Sequence, residues 1–358
     1  MSGSRTAAAP PRVEDAALED LRARLRSTRF VGVPGAAWER GADAGFLADL
    51  VAHWADGYDW RAAEARIAAL PWVRAGGLRL LHQRAADPAA PVVVLLHGWP
   101  DSFLRFARVL PLLDDLTVVV PCLPGYPGDG SAGGASADMA GPIAAALAEL
   151  GHERWTVSGG DIGAGVALAL AAGHPDRVAA LHLTEVPDRL ADVPEADLLP
   201  EERGWRDRVA EWTRTEGGYE VEQATRPATL AVGLGDSPAG LLAWIVEKLR
   251  SWSDCGGDVE SVIPRDELLT WVSLYWFSGA IGTSFAAYSE HRRLPAARLA
   301  PPAAISVFPY DLAPGPRAHA ERFLDLRAWD EQPSGGHFAA WERPEAFAAS
   351  LRGAVALA

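Results

Sequence analysis

Trp155-Thr-Val-Ser158-Gly-Gly-Asp161-Ile-Gly-Ala-Gly-Val166 is the stretch on which the fold turns. Trp155 to Ser158 reads as a strand that enters a glycine-rich turn, and the chain leaves the turn as an apolar helical stretch ending at Gly173. Within the turn, Gly159-Gly160-Asp161-Ile162-Gly163 places one acidic side chain between small residues. A sharp strand-to-helix turn with small flanking residues presents its central side chain at the edge of a sheet. The same residues would also suit Asp161 as an N-cap in a tight turn, so the partners supplied by the rest of the chain decide between the two.

Working outward, the same strand-then-helix rhythm recurs. Pro91 to Leu96 is an unbroken apolar run ending in His97-Gly98-Trp99-Pro100, and Leu116 to Val120 is another ending in Pro121. Such runs suit central parallel strands covered on both faces. Met139, Ile143, Leu147 and Leu150 share one face of a helix that stops at Gly151, and Val178 to Leu183 reads as a further strand. Gly76 to His82, after a Gly-Gly turn, suits an edge strand opening the sheet. Strand and helix alternating in this way indicate a doubly wound α/β sheet with functional residues at the strand C-termini.

From about Val186 to Leu299 the alternation gives way to Trp-rich helical stretches, among them Leu241 to Trp252 and Glu267 to Ala280, so a helical cap interrupts the sheet. Strand character resumes at Ala303 to Phe308 and Phe323 to Leu326, and a last helix runs from about Pro344 to Ala356. Ahead of the sheet, helical spacing at Leu18, Leu21 and Leu25, within Val13 to Phe30, and a second helix around Gly45 to Trp54 form a leader. The expected organisation is therefore a leader over 1–75, a first core segment over 76–185, a cap over 186–299 and a second core segment over 300–358.

Of 358 residues, 49% are hydrophobic and 22% charged, enough to bury a full core. The net charge of −14 argues against nucleic acid or an anionic membrane surface as partner. Two cysteines, Cys122 and Cys255, have no metal-ligand spacing and are too few for a disulfide scaffold, which favours a reducing compartment. Met1 to Pro11 is small and polar and Arg12 to Arg29 is charge-rich, so neither a signal region nor an anchor helix is expected, and the cytoplasm is the expected location.

Two further residues supply the partners that Asp161 needs. His337 lies in Ser334-Gly-Gly-His-Phe-Ala-Ala340, after the last strand, where an α/β-hydrolase keeps its base, and Asp311 follows the strand ending at Phe308-Pro309. Nucleophile Asp161, acid Asp311 and base His337 then stand in the hydrolase chain order. The backbone N–H groups of Ile162 and Trp99 are placed to form an oxyanion hole. An aspartate at the elbow sets the reaction type: a carboxylate attacking an sp³ carbon leaves an alkyl ester that water, activated by His337 and supported by Asp311, can cleave. The electrophile is then an epoxide or a carbon–halogen bond. An opening epoxide becomes an alkoxide and needs a donor, for which tyrosine is suited. Tyr219, Tyr275 and Tyr288 all lie in the cap.

The chain resembles the microsomal-type epoxide hydrolases over nearly its whole length. In the leader the resemblance lies at Leu21 to Arg29, Trp54 and Tyr58-Asp-Trp-Arg61. In the core it lies at His97-Gly-Trp-Pro100, Gly159-Gly-Asp-Ile-Gly163 and Gly336-His-Phe-Ala-Ala-Trp-Glu-Arg-Pro344. Gly217-Gly-Tyr219, Asp236-Ser-Pro238, Leu274-Tyr-Trp276 and Ala287-Tyr-Ser-Glu290 are similar to the family's cap segments. The resemblance implies an α/β-hydrolase fold with a helical cap and an N-terminal leader. It also implies Tyr219 and Tyr288 as the ring-opening pair, with Tyr275 as packing, and Asp311 rather than Asp325 or Asp330 as the acid. It implies no metal and no organic cofactor, and a small-molecule epoxide and water as reactants.

Pro100 and Trp276 are the expected pocket residues, and a homodimer is left open. Asp101 and Pro127 depart from the family pattern, where glycine is usual, and both are expected near the pocket. The alternatives are a haloalkane or haloacid dehalogenase and a non-catalytic ligand-binding relative. The cap tryptophans Trp205, Trp212, Trp244, Trp252, Trp271 and Trp276 would line a pocket for an aromatic or polycyclic epoxide or simply pack. Detoxification and natural-product maturation are not ranked by the sequence.

Overall fold

The computed structural model describes residues 8–34, 37–290 and 297–358. The start of the expected leader, with most of Met1 to Pro11, and the 291–296 end of the expected cap lie outside the described residues. Among those described, three helices come first: α1 (Asp15–Arg26), α2 (Ala44–Asp56) and α3 (Trp60–Ala68). The spacing of Leu18, Leu21 and Leu25 gives α1 its one buried face, each leucine contributing about 1.5–3 kcal/mol. Asp43 and Asp59 begin α2 and α3 by accepting the N–H of Phe46 at 2.8 Å and of Ala62 at 3.1 Å, which satisfies donors that a helix start leaves free.

The strands are β1 (Trp72–Ala75), β2 (Leu78–Gln83), β3 (Val92–Leu96), β4 (Thr117–Pro121), β5 (Trp155–Gly159), β6 (Val178–Leu183), β7 (Leu299–Val307) and β8 (Leu324–Glu331). They form one sheet in the order β1-β2-β4-β3-β5-β6-β7-β8. The β1–β2 and β2–β4 pairs are antiparallel and every pair from β4 to β8 is parallel. β4, β5 and β6 are buried along their whole length and β3 at all but Val92, which is why β3 and β4 read as unbroken apolar runs, while the polar Ser158 and His182 of β5 and β6 bond each other at 2.9 Å. One expectation needs correction. The Gly76 to His82 segment is not the edge, because Trp72–Ala75 pairs outside it; four residues were too few to show a period.

α4 (Ser136–Glu149) and α5 (Ile162–Gly173) pack against each other beside the sheet. Between β6 and β7 lie α6 (Pro200–Glu216), α7 (Gly218–Thr225), α8 (Pro227–Asp236), α9 (Pro238–Ser251), α10 (Arg265–Ser278), α11 (Ile281–Ser284) and α12 (Ala286–Ser289). These helices form the cap. α13 (Arg317–Phe323) joins β7 to β8, and α14 (Ala339–Glu342) and α15 (Pro344–Val355) end the chain, with α15 packed on β6 and β7.

Polar bonds tie the first three helices to the cap. Trp54 Nε1 donates to Ser273 Oγ at 3.0 Å, the Tyr58 hydroxyl bonds Thr270 Oγ1 at 2.9 Å, and Arg66 pairs with Glu267 at 2.6 Å. His53 meets Asp266 at 2.7 Å. The cap is bonded to the core as well, where the Tyr275 hydroxyl donates to the carbonyl of Asp101 at 2.9 Å. Among the described residues no single helix is long and apolar enough to cross a membrane.

The sheet order reverses between β3 and β5, whose C-terminal ends carry Trp99 and Asp161. A doubly wound sheet opens a crevice at such a reversal.

Candidate active site

Asp161 sits between β5 and α5 at φ 57° and ψ −135°, a left-handed backbone that a non-glycine residue holds at a cost of about 1–3 kcal/mol. The glycines around it make the turn fit. A Cβ at Gly163 would run into the carbonyl oxygen of Leu96, and one at Gly98 into the Asp161 carboxylate itself. The main chain of the β3 loop therefore comes close enough for the Trp99 N–H to donate to Asp161 Oδ1 at 2.7 Å. The N–H of Ile162 acts on the same carboxylate. Both expected oxyanion donors thus face Asp161.

His337 is buried, and its Nδ1 meets Asp311 Oδ1 at 2.7 Å. Its Nε2 lies 3.6 Å from Asp161 Oδ2 and makes no hydrogen bond. The residues that sequence order assigned to base, acid and nucleophile therefore meet in space. Burial disfavours the imidazolium, but the carboxylates of Asp311 and Asp161 outweigh it and push His337 up to about 10. Burial likewise favours the neutral acid at Asp161, yet His337 and the N–H groups of Ile162 and Trp99 hold the carboxyl below its ordinary value. The resting site is an ionised carboxylate beside a protonated imidazole.

Tyr219, on α7, and Tyr288, on α12, converge over this group with ring centroids 6.1 Å apart. Tyr219 stacks on the Trp99 ring at 5.3 Å, and Tyr288 meets the same ring edge-on at 6.1 Å. Among the described residues the buried Tyr288 hydroxyl has no hydrogen-bond partner. Burial, together with the nearby Asp161 charge, raises both phenols above their ordinary value, so both keep their protons at neutral pH and remain donors. Tyr275, its hydroxyl on the Asp101 carbonyl, is a packing residue.

A cavity of about 570 Å³ joins these groups. Asp161, Ile162, Tyr219, Tyr288 and Asp311 are on its wall, along with Trp205 and Trp212. The other four cap tryptophans pack elsewhere; Trp252, for example, lies against the His337 ring at 5.4 Å. The two expected pocket residues are absent from the wall. Trp276 is half-buried under the Arg24 guanidinium of α1, 5.9 Å away, and Pro100 is buried without reaching the cavity.

Asp101 and Pro127 do not reach the cavity either. Asp101 organises the β3 loop instead: its Oδ1 accepts the Gly98 N–H at 2.9 Å and its Oδ2 takes Arg105 Nη1 at 2.8 Å. Arg105 also donates to the carbonyl oxygen of His337. One buried ion pair therefore anchors both the oxyanion loop and the base. Arg105→Met should destabilise the fold by about 3–5 kcal/mol, because it leaves a buried carboxylate unpaired, and urea unfolding would measure the loss. Arg105 and Glu185, the latter on the cavity wall, were not found from sequence. Arg105 reads as one charge on a short helical stretch, and Glu185 as a polar residue where the alternation ends.

Similarity to known proteins extends over nearly the whole chain. The family described as epoxide hydrolase N terminus matches residues 8–106, and the family described as alpha/beta hydrolase fold matches 91–216. A Stigmatella aurantiaca protein named "Putative epoxide hydrolase" is 37% identical, the alignment covering 95% of this chain and 82% of the relative. The structure of Aspergillus niger epoxide hydrolase superposes with a TM-score of 0.86 at 29% identity, covering 97% of this chain and 94% of that one. Juvenile hormone epoxide hydrolase from the silkworm Bombyx mori gives 0.85 at 26% identity, covering 97% and 93%.

Proposed function

The chain belongs to the epoxide hydrolase family, and from that premise we propose that Asp161 opens the epoxide ring to a covalent ester, which His337 and Asp311 then hydrolyse to a vicinal diol. The observation that carries this assignment is the bracketing of His337 by two carboxylates, Asp311 at 2.7 Å and Asp161 at 3.6 Å, with the Trp99 N–H on Asp161. Asp161 attacks one epoxide carbon, the C–O bond breaks, and the alkoxide formed is held by the Tyr219 and Tyr288 hydroxyls and takes up the proton that the His337 imidazolium gives up once the Asp161 charge is gone, leaving the ring neutral. Water then adds to the ester carbonyl, giving a proton to His337 Nε2, while the N–H groups of Trp99 and Ile162 hold the oxyanion. Collapse expels the diol oxygen, which takes the proton from Nε2. The regenerated Asp161 acid passes its proton to His337, which restores the resting carboxylate and imidazolium and closes the cycle. Family membership removes the dehalogenase alternative.

Each tyrosine hydroxyl works only while charge develops on the epoxide oxygen. Tyr219→Phe and Tyr288→Phe should each raise the barrier by about 2–4 kcal/mol, seen as a fall in kcat/KM with the fold unchanged by circular dichroism. An equal fall in both kcat and kcat/KM would mark the contact as one made only in the transition state.

Trp205, Trp212, Val186, Val209 and Leu312 on the cavity wall support a bulky, apolar or aromatic epoxide as substrate. Two buried, unpaired thiols support the cytoplasmic setting. Diol formation from styrene oxide, an aliphatic terminal epoxide and a polycyclic epoxide, with Asp161→Asn as control, tests both proposals. Turnover lost in the control and fastest on the aromatic substrates is expected; turnover that survives in the control would remove Asp161 from its role.

A further inference from the structure

Thr184 and Glu185 follow β6 directly, at the sheet edge that also carries Asp161 and Asp311. Glu185 is on the cavity wall. One of its carboxylate oxygens, one of Asp311 and one ring nitrogen of His337 lie within 4.8 Å of one another. Among the described residues no arginine or lysine forms an ion pair with it. Two carboxylates from separate strands thus converge on a single imidazole. Burial, then the charges of Asp311 and Asp161, push Glu185 up to about 7, while His337 and the Asp161 N–H pull the other way. A carboxyl poised there gains charge when its neighbourhood loses negative charge, which is what esterification of Asp161 does.

We propose that Glu185 is a second carboxylate of the charge relay, sharing with Asp311 the stabilisation of protonated His337 while the aspartyl ester is hydrolysed. This rests on the assignment of His337 as the base. Glu185 acts through His337 rather than on the reacting atoms, so it is a positioning residue. No proton passes to either carboxylate in the step: Nε2 receives it from water and returns it to the departing diol oxygen.

The test is a double-mutant cycle in single turnover with styrene oxide, following ester formation and ester loss separately by intact mass. Glu185→Gln alone should slow ester loss about threefold, since Asp311 still serves the ring. In the Asp311→Asn background the same change should slow it by at least about 30-fold, a non-additive result expected of partners that share one task. Ester formation should stay within about threefold throughout, which also shows that each variant is folded with its site intact. Glu185→Asp in the Asp311→Asn background should recover part of the loss.

An equal effect of Glu185→Gln in both backgrounds would overturn the proposal, as would slowed ester formation. So would an Asp311→Asn enzyme already as slow as His337→Gln. Absence of any accumulated ester in His337→Gln would instead remove the assignment on which the proposal rests, and so the two failures are distinguishable.

Discussion

Asp161→Ala abolishes diol formation, with kcat falling by at least about 10⁴-fold, the scale on which loss of a covalent nucleophile is measured. Three features concentrate the reaction on this one side chain. The strained backbone at φ 57° holds it clear of the helix, Gly98 lets the main chain approach, and the Trp99 N–H bonds its Oδ1 at 2.7 Å. No other described carboxylate receives that N–H, and Asp311 is committed to His337 and to the N–H of Leu312 at 2.7 Å. Isotope labelling checks the chemistry independently of the mutation. In a single turnover of the unaltered enzyme in H₂¹⁸O, the label should appear in the Asp161 carboxylate, because the oxygen delivered to the diol comes from the aspartate. Label in the diol after that first turnover would mean direct attack by water and would remove the ester.

His337→Gln has the second largest expected effect, and it acts on the other half of the cycle. Asp161 loses the neighbouring imidazolium but keeps its two N–H donors, so alkylation persists. Ester hydrolysis loses its base, with kcat falling about 10³–10⁴-fold. The protein should gain the full mass of the epoxide, since ring opening expels no atom, and the adduct should map to Asp161.

The unaltered enzyme adds a pH signature. In the resting site two carboxylates push His337 up to about 10. Once Asp161 is an ester its charge is gone, and the imidazole loses its proton at a lower pH. Hydrolysis requires the neutral ring, so its rate should climb with pH and level off at a midpoint below that resting value, which rapid-quench measurements of ester loss can locate. A rate constant falling with pH over that range would contradict a general base.

The central strands and the turn residues were legible because their physics is local. A parallel strand covered on both faces favours apolar residues, and a turn as tight as that at Asp161 needs small residues where the main chain comes close, so the run at Val92–Leu96 and the glycines at 159, 160 and 163 carry the signal alone. What was illegible depends on distant contacts. Asp101 is expected near the pocket because it follows His97-Gly-Trp-Pro100, yet its carboxylate turns inward to Gly98 and Arg105. Trp276 looked like a pocket residue as one of six cap tryptophans, but α10 lends no residue to the cavity wall and the Trp276 ring lies under Arg24 of α1. Trp72–Ala75 escaped notice because a four-residue edge strand has no period to show.

The bonds between the first helices and the cap bear on how molecules travel. Swinging the cap away would break the bonds of Trp54 to Ser273 and of Tyr58 to Thr270, now buried, at about 0.5–1.5 kcal/mol for each, besides exposing the apolar surface around them. A roof bolted down in this way resists lifting. Traffic that leaves the cap in place would need a standing doorway, and a shallow hollow beside α6 adjoins the cavity at Trp212 and Ala313. The width of that doorway then screens molecules before any bond is made, so that bulk is paid for in the speed of arrival and departure while the chemistry behind it stays the same.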